Sequence, residues 1–174
     1  MQKLRITAVN VCRFVLAATF IFSGYVKAID PLGTLYKLKD YAAAMSLNGL
    51  LPDWVLVGVA IALGALEFAL GVFMLFAVRR HVVSRITLAF MAAMTVLTLW
   101  IFVADPVKDC GCFGDALKLT NGETLLKNIV LIACAALVAW RPVDMARFIS
   151  RSNQWIVRYY TVAYIVITSI YCLY

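Results

Sequence analysis

Two cysteines one residue apart, in Asp109-Cys110-Gly111-Cys112-Phe113-Gly114-Asp115, form the densest cluster of reactive side chains in this 174-residue chain. A thiolate is a nucleophile, and a Cys-x-Cys disulfide closes a tight ring whose backbone strain Gly111 partly relieves. Strained, exposed disulfides are oxidising and labile, so Cys110 and Cys112 read as an exchanging redox dithiol. Asp109 and Asp115 oppose thiolate formation, whereas Lys108, Lys127 and the start of a following helix favour it. Gly111 and Gly114 permit the turn, and Phe113 walls the site. Other uses of the same thiols stay open: a structural staple, a metal site, or two free thiols awaiting an intermolecular bond. A metal site needs four ligands, and this part of the chain supplies two thiols, carboxylates and no histidine, so no metal ligand is assigned.

The elements that must position this hairpin are membrane helices. Hydrophobic residues make up 64% of the chain and charged residues 14%, and the mean hydropathy is +0.92, outside the range of soluble domains. Apolar blocks of spanning length run from about Val9 to Ile29, Trp54 to Val78, Ile86 to Ala104, Leu125 to Trp140 and Trp155 to Tyr174. They lack strict alternation, so helices rather than a barrel are expected. The fold class is all-α integral membrane: a four-helix bundle over residues 1–140, then a basic loop and a fifth C-terminal span over 141–174. That last segment either ends at the outer surface or leads into a further domain.

Charge placement orients the chain. Lys3 and Arg5 precede the first block, Arg79, Arg80 and Arg85 follow the second, and Arg141, Arg147, Arg151 and Arg158 surround the fourth-to-fifth connection. Nearly every carboxylate falls in the alternate connections. The positive-inside rule then puts the N-terminus in the cytoplasm and the Cys-Gly-Cys loop outside it. Topology accounts for the net charge of +7; the bilayer is the partner it implies, and nucleic acid is not. Arg13 interrupts the first apolar block, which is expected to remain as an uncleaved helix rather than a secretory signal.

Between the first two spans, Asp30-Pro31 predicts a helix start with a carboxylate cap and Pro in the first turn. Leu35, Leu38, Tyr41, Ala42 and Met45 recur at helical spacing, which predicts an outer interfacial helix ending at Asn48-Gly49. Before the fourth span, Thr120-Asn121-Gly122-Glu123 has the spacing of a capping box. Lys127 lies a turn further on and is expected to snorkel outward. Small residues such as Gly64, Gly71, Ala89 and Ala135 predict close helix packing. Arg13 and Glu67 are the costly intramembrane charges; they are expected to pair as a clamp, with a proton-carrying Glu67 as the functional alternative. Cys12 and Cys134 read as packing residues, His81 as a solvated loop residue, and Cys172 as either a resolving thiol or a bystander in an aromatic belt.

These residues resemble the DoxX/MauE group of small bacterial membrane proteins. Arg13 with Phe22-Ser23-Gly24-Tyr25-Val26-Lys27 and Asp30-Pro31 is similar to that group's opening signature, and Glu67 with Gly71 to its second helix. Cys110-Gly111-Cys112-Phe113-Gly114-Asp115 resembles the MauE-like branch. The resemblance covers about the first 140 residues. It implies a four-helix bundle of the bacterial inner membrane with redox-associated roles: disulfide formation in an exported dehydrogenase, or quinone-coupled oxidation. The chain lacks the Cys-x-x-Cys and the second outer pair of membrane disulfide oxidases, so a self-contained path to quinone is not implied. The function expected is thiol-disulfide exchange or electron transfer in the cell envelope, with quinone as the candidate cofactor. An exported thiol protein or another membrane subunit is the candidate partner. The alternatives are a non-catalytic scaffold subunit and, more weakly, metal delivery through the same thiols. Redox substrate, electron acceptor and direction of electron flow stay open.

Overall fold

The computed structural model describes residues 2–44, 52–104 and 119–173. Its elements are α1 (Gln2–Ile29), α2 (Pro31–Ala44), α3 (Asp53–Leu75), α4 (Arg80–Ala104), α5 (Asn121–Trp140), two single 3-10 turns (Pro142–Asp144 and Arg151–Asn153) and α6 (Gln154–Leu173). No strand occurs among the described residues. Four helices, α1, α3, α4 and α5, are long and apolar enough to cross a membrane. The bundle they form is clad in exposed apolar side chains, among them Val96, Val103, Leu126 and Ile129. An outward-facing surface of that kind is stable against lipid and costly against water.

The expected fifth span is not supported among the described residues. Helix α6 forms, but it is not among the four helices of spanning length and hydropathy. Gln154, Arg158, Tyr159, Tyr160 and Tyr164 break its apolar run, and several of these side chains remain exposed. It packs on α3 and α1, with Tyr164 stacked on Phe68 at 4.5 Å between ring centroids.

Both predicted helix starts are present. Asp30 Oδ1 accepts from the Gly33 amide at 2.9 Å, so the carboxylate caps α2 and Pro31 sits in its first turn. Thr120 Oγ1 accepts from the Glu123 amide, while the Thr120 amide donates to Glu123 Oε2 at 2.9 Å. That reciprocal box fixes where α5 begins. The expected extension of α2 to Asn48-Gly49 lies outside the described residues.

Helix α1 is the hub, packing on α3, α5, α2 and α6. Its contact with α3 is made by backbone. A Cβ on Gly24 would collide with the Phe68 backbone, and one on Gly71 would lie 2.6 Å from the Ile21 amide nitrogen and 3.1 Å from the Ala17 carbonyl. Only glycine admits this approach, the usual route to tight helix pairing in lipid. The core below it joins Leu16, Phe20, Leu70, Met74, Met91 and Leu131.

The two ends of the bundle differ. At one lie the α1 N-terminus, the α3–α4 turn and the α5–α6 connection; Ala77 and Arg79 in that turn hold φ of 51° and 41°. At the other lie α2, the α4 C-terminus and the capped start of α5. Substituting Gly71 or Gly24 by leucine should separate α1 from α3 and destabilise the bundle by about 1–3 kcal/mol or more. Thermal unfolding in detergent checks this, with Gly58→Leu, which has open space around it, as the tolerated control.

Candidate functional site

The register set by those glycines places three polar side chains together in an apolar interior. Gly24 lies over Gly64 and Phe68, and Gly71 over Ala17 and Ile21. Glu67 therefore faces Ser23 and Lys27. Lys27 Nζ donates to Glu67 Oε2 at 2.7 Å and to Ser23 Oγ at 2.7 Å, and Ser23 Oγ donates to Glu67 Oε2 at 2.6 Å. The Lys27 and Glu67 side chains are 4% and 6% exposed, so the charges are neutralised by each other and by hydrogen bonds rather than by solvent.

The expected pairing of Arg13 with Glu67 is corrected by this register. Arg13 sits 14 residues before Lys27 on α1, about 21 Å away along the axis. Its guanidinium donates from Nη1 to the Ala146 carbonyl and lies over the rings of Phe14 and Phe148. Neighbouring contacts complete a seam: Ala146 N donates to Asn10 Oδ1, Asn10 Nδ2 donates to the Asp144 carbonyl, and Arg5 pairs with Asp144 at 2.8 Å. Arg13 thus ties the α5–α6 connection to α1. Arg13 and Glu67 therefore lie at different depths, and the two charges never face each other.

Beside the Lys27–Glu67 pair is a cavity of about 110 Å³ between α1, α2, α3, α4 and α5. Its wall is mostly apolar, with Phe20, Leu38, Leu63, Phe90, Met91, Met94 and Leu131. Ser23, Lys27, Thr34, Lys37, Tyr41, Glu67, Lys127 and Asn128 supply polar groups. Asn128 Nδ2 donates to Thr98 Oγ1 at 3.1 Å, which fixes its amide. Helix α2 covers the cavity through Thr34, Lys37, Leu38 and Tyr41. Lys127 is half-buried at the wall, where simple snorkelling was expected. A small apolar chamber with a few convergent polar groups is the usual form of a site for a small amphipathic molecule.

Cys110, Cys112, Asp109, Gly111, Phe113, Gly114 and Asp115 lie outside the described residues. The segment that carries them joins Ala104 to Leu119, both at the α2 end of the bundle. Cavity residues Leu97 and Asn128 lie about two helical turns inside those anchor points. Cys172 falls in the last turn of α6, whose Thr168 and Ser169 approach Lys27, Ala28 and Pro31 at this same end. Its side chain is outside the described set. Cys12 and Cys134 pack against the core as anticipated, in contact across α1 and α5.

Sequence reasoning missed Ser23 and Lys27 as partners of Glu67. The signal was available: Ser23-x-x-x-Lys27 shares one helical face with Gly24, and Glu67 lies between Gly64 and Gly71 on the face that meets it. Removing one member of the pair should cost about 3–5 kcal/mol, because the other is left buried and uncompensated. Glu67→Ala or Lys27→Ala should therefore unfold at lower temperature than the Lys27→Met/Glu67→Leu double variant. A double-mutant cycle by thermal unfolding in detergent measures the coupling; additive losses would show that the contact contributes nothing.

Comparison with known proteins adds one match: the family model described as methylamine utilisation protein MauE matches residues 5–141. No protein of curated function and no solved structure matches the chain.

Proposed function

The chain belongs to the MauE family, and on that premise we propose that it serves methylamine utilisation as a membrane thiol-disulfide exchange protein, with Cys110 and Cys112 as the exchanging pair. The observation that carries the reading is the position of the mostly apolar cavity beside Lys27 and Glu67. It opens at the end of the bundle from which the Cys110–Cys112 segment departs, within about two turns of its anchor points. Supporting it is the collection of arginines at the opposite end, Arg5, Arg79, Arg80, Arg85, Arg141, Arg147 and Arg158. By the positive-inside rule that end belongs in the cytoplasm, and the cysteines belong on the outer side of the inner membrane, where disulfides persist.

A thiolate of an exported substrate protein attacks the Cys110–Cys112 disulfide, forming a mixed disulfide and releasing one cysteine thiolate. A second substrate thiolate resolves the mixed disulfide, leaving an oxidised substrate and a reduced pair. Restoring the disulfide removes two electrons and two protons, which a lipid-borne quinone takes up to become a quinol. The quinone ring is the occupant we assign to the cavity beside Lys27 and Glu67. The chamber is smaller than the roughly 150 Å³ that accepts benzene. Flexible Met91 and Met94 in its wall yield to make up the difference. Asn128, whose amide has a second N–H beyond the one given to Thr98, supplies a donor for a carbonyl oxygen. Cys172 is a third thiol at the same end and is assigned no step.

The runner-up is a scaffold subunit, favoured by the close, glycine-dependent packing of a bundle that would hold its shape without any thiol chemistry. Cysteine-to-serine substitution separates the two. Cys110→Ser, Cys112→Ser and the double variant should fold and unfold like the wild type yet lose methylamine-dependent growth. In membranes, differential alkylation should find the wild-type pair in mixed redox states that shift under mild reductant and recover with added quinone. Growth sustained by the double serine variant would transfer the assignment to the scaffold. Stoichiometric metal in the purified protein, lost in that variant, would transfer it to metal delivery.

A further inference from the structure

The opposite end of the bundle holds a second cavity that thiol chemistry does not use. It is an open groove of about 500 Å³ between the α3–α4 turn and the start of α6. Arg79, Arg80, Arg147 and Arg158 line it, with His81 and Gln154, and no carboxylate among the described residues lies in its wall. Arg79, Arg147 and Arg158 form no ion pair among the described residues. The neighbouring arginine cavity is different, because there Asp144 pairs with Arg5.

Two of the four arginines are fixed by main-chain carbonyls. The turn between α3 and α4 buries Ala77 and Val78 while two non-glycine residues adopt left-handed backbone, which turns Arg79 outward. Arg80 is anchored at 2.8 Å to the Val143 carbonyl, and Arg158 Nε donates to the Gln154 carbonyl at 3.4 Å. Helices α3 and α4 are both spanning segments, so the turn that joins them lies at headgroup depth. Exposed aromatic side chains stand at this level, Phe148, Trp155 and Tyr159 among them, as they do where a protein meets the membrane–water interface.

Arginines lining one groove with no carboxylate among its described residues match the oxygens of a phosphate. We infer that this cavity binds the phosphate of an anionic phospholipid headgroup. The aromatic rim favours a lipid over a free anion, because it brings the cavity against the acyl boundary. The site is independent of the cysteines and of the quinone cavity.

The test uses delipidated wild-type protein in neutral detergent. Thermal unfolding is followed with phosphatidylglycerol, with phosphatidylcholine of the same acyl chains, or with inorganic phosphate. Phosphatidylglycerol should raise the unfolding temperature, and neither of the other additions should. The Arg147→Gln/Arg158→Gln variant should lose that shift. Arg85→Gln/Arg141→Gln, which removes equal charge from the same end of the bundle, should keep it. Native mass spectrometry of the wild type should show phosphatidylglycerol retained where phosphatidylcholine is stripped, a readout that needs no variant. Equal protection by phosphatidylcholine, or equal loss in both variants, would overturn the inference in favour of general surface charge. An equal shift from inorganic phosphate would overturn the lipid assignment in favour of a soluble anion.

Discussion

The structure depends on the place where α1 and α3 touch backbone to backbone. In lipid, apolar side chains gain little by leaving tails for one another, so helix association rests on close packing and on polar contacts. Gly24 and Gly71 supply the packing, and the same contact carries Lys27 to Glu67. The two effects need each other. Either charge alone would cost several kcal/mol in this interior, and the pair forms only at the separation the glycines permit. Moving α3 by one turn along α1 would break both at once, which makes the register of these two helices effectively two-state.

From that contact the bundle divides into two ends with different chemistry. The arginine end is stitched shut: Arg5, Asn10 and Arg13 on α1 hold Asp144 and Ala146, so the α5–α6 connection is bound to the hub helix. The α2 end is built around space. Its helix covers a chamber into which an ion pair, an amide and several hydroxyls project, and the capped start of α5 fixes one boundary of the cysteine segment. Rigid attachment at one end leaves the other able to admit a ligand without loosening the bundle.

Much of this was legible in the chain. Four spanning helices, the Asp30 cap and the Thr120–Glu123 box follow from apolar length and from side chains that satisfy free amides. Such signals are local. The partner of Glu67 was not legible from depth alone, because register between antiparallel helices is decided by where small residues coincide on both faces. Arg13 looked like a charge in search of a carboxylate, yet a main-chain carbonyl and two aromatic rings receive it. A guanidinium presents five donors and a flat apolar face, so it has solutions that a sequence search for acids overlooks. Helix α6 forms where the last apolar block was read and makes an aromatic contact to α3, but it is not among the four helices of spanning length and hydropathy found among the described residues.

The Lys27–Glu67 pair also bears on what the cavity can hold. An anion placed there would compete with Glu67 for Lys27, and a cation would compete with Lys27 for Glu67; either exchange leaves a buried charge uncompensated. A neutral molecule with hydrogen-bonding oxygens avoids that cost. It can accept from the amide of Asn128 while the ion pair stays closed, and its apolar body can meet Phe20, Phe90 and Leu131. Those requirements describe a carbonyl-bearing ring carried in the membrane. They are met in the chamber beneath α2, at the end of the bundle from which the cysteine segment departs, so the thiol chemistry and the electron acceptor we propose need no transfer across the bilayer.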